Sequence, residues 1–133
     1  MIVFHSTQRF FLYRNATDMR KSFDGLSGLV TNELQQPLTS GDVFIFLNKP
    51  RNSIKILVWD RSGFVIYYKR LEAGTFEMPS AIGEAKSISM KWEELVLLLE
   101  GISLQNVQRK KRYAYPQAQK TNDFVLANNK AET

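Results

Sequence analysis

Basic side chains carry most of the chemistry this sequence offers. Arg20 and Lys21, Lys49 and Arg51, Lys55, Lys69 with Arg70, and the run Arg109-Lys110-Lys111-Arg112 sit in or beside different segments of the chain. Cations of this kind replace condensed counterions on phosphates, giving nucleic-acid binding that weakens steeply with salt. Tyr67, Tyr113 and Tyr115 would add aromatic faces on which unpaired bases stack. The plainer reading is that Lys55 and Lys69 are solvent-facing strand residues that deter edge-to-edge aggregation. Four consecutive charges are likewise common in unbound termini.

Catalytic chemistry has little to draw on. An enzyme needs groups poised to move protons, attack or hold a metal. His5 is the single histidine and lies in an N-terminal apolar stretch, where a satisfied or exposed imidazole is the ordinary case. Gly25-Leu26-Ser27-Gly28 matches neither the P-loop nor the dinucleotide fingerprint. Asp18 and Asp24, six residues apart on one expected helix, would point to different faces and make a poor metal pair. Asp60, Glu72 and Glu77 would form a metal cluster only if the fold gathered them, and such residues more often serve as ion pairs and turn formers. No catalytic residue, metal or cofactor is therefore expected.

The elements that must position these side chains can be read from periodicity. Arg9 to Arg14 reads as a short aromatic strand. Thr17 is a plausible N-cap and Asp18 a first-turn carboxylate for a helix over about Asp18 to Gln35, stopped before Pro37. Met19, Phe23, Leu26, Val30 and Leu34 supply its apolar stripe. Gly25 and Gly28 inside it each cost about 1 kcal/mol against alanine. They point either to close packing on the sheet or another helix, or to a face, shared with Lys21 and Asn32, where a phosphate or partner approaches the backbone.

Three apolar strands follow, Val43 to Leu47, Ile54 to Trp59 and Phe64 to Arg70, separated by two turn-like segments. Such short connections favour an antiparallel meander. The first, apolar on both faces, should be central or covered twice. Ser80 to Lys86 reads as a loop, and Ser87 to Met90 as a short strand or a lead into a final helix. Ser89 could cap that helix, with Leu95, Val96, Leu99 and Ile102 on its apolar face and Gly101 at its end.

The 133 residues fit one domain of common size, expected over 1–107, with a basic, flexible tail over 108–133. The absence of cysteine removes disulfides, thiol catalysis and cysteine-ligated zinc, and suits a reducing cytoplasm. Apolar runs such as Leu95 to Leu99 are too short for a bilayer, so no membrane partner is expected. The net charge of +5 is unevenly placed: residues 1–107 hold 12 basic and 11 acidic groups, against 6 and 2 in 108–133. Within the first part, residues 1–70 hold 10 basic and 5 acidic groups and 71–107 hold 2 and 6, a basic half followed by an acidic helix region.

One collinear series of segments carries a resemblance. Thr17-Asp18-Met19-Arg20-Lys21-Ser22-Phe23-Asp24-Gly25-Leu26, Gly41 to Phe46, Ile54 to Asp60, Gly63-Phe64 and Tyr68 to Phe76, spread between about Phe10 and Ile102, resemble the TnpB accessory proteins of the insertion-sequence-66 family. These are products of the second reading frame of a bacterial transposable element and are distinct from the RNA-guided nucleases that share the name TnpB. The resemblance implies that strand cleavage and transfer belong to a separate transposase with an acidic triad. It also implies partners: DNA at the element ends or target, the transposase, and another accessory subunit. Family members typically end soon after the last helix, so the segment from Gln108 is a departure.

The expectation is thus an α+β fold, an antiparallel sheet packed with two helices, acting without catalysis in transposition. Two modes of action remain open. DNA contact requires the basic residues to converge on one surface, whereas an adaptor requires an exposed apolar patch. A small RNA-binding regulatory module is the alternative outside the family reading.

Overall fold

The computed structural model describes residues 4–79 and 83–101. Expectations for Ile102, for the tail and for Arg109, Lys110, Lys111, Arg112, Tyr113 and Tyr115 lie outside the described residues. Five strands, β1 (Phe10–Tyr13), β2 (Val43–Leu47), β3 (Ser53–Asp60), β4 (Gly63–Arg70) and β5 (Ser87–Met90), form one sheet in the order β4-β3-β2-β1-β5. The doubly apolar β2 is its middle strand and is buried at every position. Ser87 to Met90 is a strand, paired with β1.

The sheet is mixed, which corrects the expectation of an antiparallel one. β2, β3 and β4 do form the expected meander, and β5 runs antiparallel to β1. β1 and β2 run parallel, with Phe10 opposite Val43 and Leu12 opposite Ile45. The cause is the long connection between them, which holds a helix and returns the chain to the same end of the sheet before β2 begins. Arg9 and Asp42, one residue ahead of each strand, fasten this pair with two hydrogen bonds of 3.0 and 2.7 Å.

That connection contains α1 (Phe23–Gly28), which continues without a break into a π-helical segment, Leu29–Leu34. Leu26, Val30 and Leu34 are its buried residues, four apart. A four-residue step overshoots an α-turn by about 40° but falls short of a turn in the wider i→i+5 helix. Joining the two forms therefore keeps all three side chains on one line over the sheet.

The helix starts at Phe23, not Asp18, which corrects the sequence reading. Thr17 is not its cap: its N–H donates to Leu47 O at 2.8 Å, and its buried hydroxyl has no hydrogen-bond partner. With residues 19–22 outside the helix, Met19 reaches the core from a turn and Phe23 is 45% exposed.

Each face of the sheet has its own core. Phe44, Phe46 and Leu57 meet Leu26, Val30 and Leu34 on the α1 face. Val43, Ile45, Ile54, Ile56 and Phe76 meet Leu95 and Leu98 of α2 (Trp92–Leu99) on the other. A fully buried Leu, Ile or Phe of this kind contributes roughly 1.5–3 kcal/mol, so both helices are held by their undersides. Lys91, not Ser89, precedes α2, and its N–H donates to the Glu94 carboxylate at 2.8 Å. Leu98 is buried where Val96 was expected; Val96 is 40% exposed.

Candidate nucleic-acid interface

The β2–β3 connection is built by Asn48. Its side-chain oxygen accepts from the backbone N–H groups of Asn52 and Ser53, both at 3.0 Å, and its amide donates to the Asn52 side chain at 2.7 Å. Arg51 closes the loop in a left-handed conformation, φ 59°. Lys49 and Arg51 are thereby held exposed at the tip. The segment after β4 wraps the same tip, with Leu71 N–H on Asn52 O at 2.8 Å and Phe76 N–H on Arg51 O at 2.6 Å.

Arg70 ends β4 opposite Ser53, the first residue of β3, and so lies beside this tip. The lead-in to α1 reaches the same end of the sheet, because Thr17 is bonded to the last residue of β2. Between residues 16–19 and 48–50 lies an open cleft of about 300 Å³ with Asp18 and Lys49 among its walls. Arg20, Lys21, Lys49, Arg51 and Arg70, all exposed, are thus gathered at one end of the sheet.

Their states differ. Arg20 is held by Asp18 through a contact of 2.7 Å, and its backbone N–H also donates to that carboxylate at 2.9 Å. The Arg20 hydrogen bonds pull the Asp18 pKa down to about 2, and the same pair raises that of Arg20. Lys21, Lys49, Arg51 and Arg70 make no side-chain hydrogen bond or ion pair among the described residues. The Lys21 stem lies against Gly25, where an added Cβ would stand 3.0 Å from Lys21 Cβ and 3.1 Å from Cγ. That accounts for Gly25 in a way neither sequence reading named. At Gly28 only Asn32 comes near, at 4.0 Å.

Two of the expected contact residues are committed elsewhere. Lys55 is buried, donating to Lys21 O at 2.8 Å and lying 4.8 Å from the centre of the Tyr68 ring. Lys69 donates to Leu99 O at 2.7 Å and so closes the C-terminal end of α2. Lys55 lies on the sheet face covered by α1's lead-in and Lys69 on the face covered by α2, so neither is the solvent-facing strand residue of the plainer reading. Tyr67 packs into the α2-side core. Its neighbour Tyr68, an aromatic of the same strand that was not among the expected stacking residues, is 53% exposed on the α1 side, and the signal for it was the strand alternation itself.

The remaining candidates for chemistry are dispersed. Asp60 lies at the β3–β4 turn and Glu72 beyond the far end of β4, so the strand's length separates them. Asp60 faces Arg61 at 3.9 Å. His5 is exposed, in a turn where its N–H donates to the Gln8 side chain at 2.8 Å. No group of three or more histidine or acidic side chains able to hold a metal occurs among the described residues. No helix among them is long and apolar enough to cross a membrane.

Comparison with known proteins gives this geometry its context. The family model described as IS66 Orf2-like protein matches residues 8–109, from the strand before the helical crossover to beyond α2. The chain belongs to the IS66 Orf2-like family. Two relatives come from Sinorhizobium fredii (strain NBRC 101917 / NGR234). The uncharacterized protein y4jC is 34% identical over 93 residues, 70% of this chain and 78% of its own length. The uncharacterized protein y4hO is 35% identical over 92 residues, 69% of this chain and 78% of its own length. No solved structure matches. Membership in the IS66 Orf2-like family associates the chain with insertion-sequence transposition in an accessory role.

Proposed function

We propose that this IS66 Orf2-like protein is a non-catalytic DNA-contacting accessory factor, engaging the phosphates of element or target DNA through the basic end of its sheet. The observation that carries the reading is the gathering there of Lys21, Lys49, Arg51 and Arg70 with no side-chain partners among the described residues, Arg20 beside them in an exposed ion pair. Free cations on a shared surface are what counterion release requires. Cleavage and strand transfer fall to the separate transposase, whose complex this protein would join, and the cytoplasm or nucleoid is where such a factor acts.

An adaptor reading has its own support in Trp92 and Val96, exposed one turn apart on α2 at 38% and 40%. This apolar pair would suit contact with the transposase or a second accessory subunit. Titrating labelled element-end DNA and unrelated DNA with the full-length protein across a salt series separates the two. Binding that weakens steeply with salt supports DNA contact. Lack of binding at low salt, together with capture by the transposase, supports the adaptor.

A further inference from the structure

We infer that Tyr68 is a stacking platform for an unpaired base, so that the basic end takes single-stranded DNA in preference to duplex. This rests on the reading of that end as a DNA-contact surface and names the form of DNA it accepts.

Tyr68 stands on the sheet face, not in a loop, and is the most exposed large apolar residue among those described, at 53%. It lies opposite Lys55 in the β3–β4 register, and the Lys55 ammonium sits 4.8 Å from its ring centre. That ammonium is itself fixed by the Lys21 carbonyl at 2.8 Å. The ring is thereby oriented by a cation held on one side while much of its surface stays open to solvent. A large side chain this exposed, on the edge strand β4, contributes little to the core.

Its neighbours supply the phosphate contacts. Arg70 follows two residues along the same strand face, about 7 Å away, and Lys21 lies across the Lys55 bridge. Phe23, 45% exposed, follows two residues after Lys21 and offers a second ring on the same side of the sheet. Aromatic rings between free cations bind unpaired bases with little regard to sequence, because every base has a π-face. Within a duplex those faces are already stacked on one another, so a surface ring gains nothing from them.

The test compares a fluorescein-labelled oligothymidylate of about 15 nucleotides with a blunt duplex of equal length, by anisotropy at one ionic strength. Full-length wild type, Tyr68→Phe, Tyr68→Ala and Tyr68→Leu would be used, Leu retaining apolar bulk without a π-face. Expected are tighter binding of the single strand, retention by Tyr68→Phe, and losses of at least about fivefold for Tyr68→Ala and Tyr68→Leu on the single strand only. Equal single-strand affinity for wild type and Tyr68→Leu overturns the inference; if salt-sensitive duplex binding persists, the DNA-contact reading survives it. No binding of either oligonucleotide at low salt overturns both.

Discussion

The Lys55 ammonium donates to the Lys21 carbonyl across 2.8 Å, tying the start of β3 to the segment that leads into α1. One lysine thus becomes part of the scaffold while the other is left to face outward. Of the seven basic residues expected at the interface that fall within the described residues, Lys21, Lys49, Arg51 and Arg70 have no side-chain partner among those residues; Arg20 is paired, and Lys55 and Lys69 are structural.

Replacing Lys55 by methionine keeps the stem but strands the Lys21 carbonyl. A hydrogen bond to a charged group contributes about 1.5–3 kcal/mol, and a loss of that order is expected in urea denaturation. Lys69→Met should behave alike through the Leu99 carbonyl at the end of α2. Neither change should alter the salt dependence of DNA binding, if both side chains are scaffold.

Single replacements of Lys49, Arg51 or Arg70 by glutamine should do the reverse. Stability should change by no more than about 0.5 kcal/mol, as for surface sites without partners. Each should make the slope of log affinity against log salt shallower by about 1. Anisotropy titrations at several salt concentrations check this.

Asp18→Asn should strengthen DNA binding several-fold, about the effect of freeing one phosphate-contacting arginine. The bound Arg20 holds the Asp18 carboxyl at about 2, below its ordinary value near 4. A depressed carboxyl stabilises the fold above its unfolded pKa, and that contribution is lost as pH falls through the folded value. The pair therefore stays intact at neutral pH and opens only as pH falls through about 2, while its contribution to stability declines from about pH 4 downward. Titration of the Asp18 carboxyl by NMR should find its midpoint near 2.

Gly25→Ala sets two effects against each other. Alanine favours helix by about 1 kcal/mol, while the new Cβ would meet Lys21 Cβ at 3.0 Å and displace the lysine stem. Stability should stay within about 1 kcal/mol of wild type, and DNA affinity should fall as Lys21 moves. A fall in stability with unchanged affinity would separate Lys21 from the interface.

Much of this fold is legible in the sequence because its strands are short, apolar and set off by polar turns. β2, β3 and β4 can be placed to within a residue or so, and the double-sided apolarity of β2 gives its central position. The direction of β1 is not legible, since it depends on how a helical crossover returns the chain. Thr17-Asp18 carries the composition of a helix start, yet β2 claims the Thr17 amide and Arg20 claims the Asp18 carboxylate, so the helix begins later. At the interface the basic residue types are legible, but their availability is not. Alternation gives the face of Lys55, Tyr67, Tyr68 and Lys69; what covers each face is decided by packing of α1 and α2.

The most direct measurement is the salt slope of binding to element-end DNA for the full-length protein and for a variant with Lys21, Lys49, Arg51 and Arg70 all replaced by glutamine. The account predicts a slope shallower by about 3 to 4 in the variant, with its thermal unfolding unchanged. An unchanged slope in a folded variant would contradict it and put the phosphate contacts elsewhere in the chain.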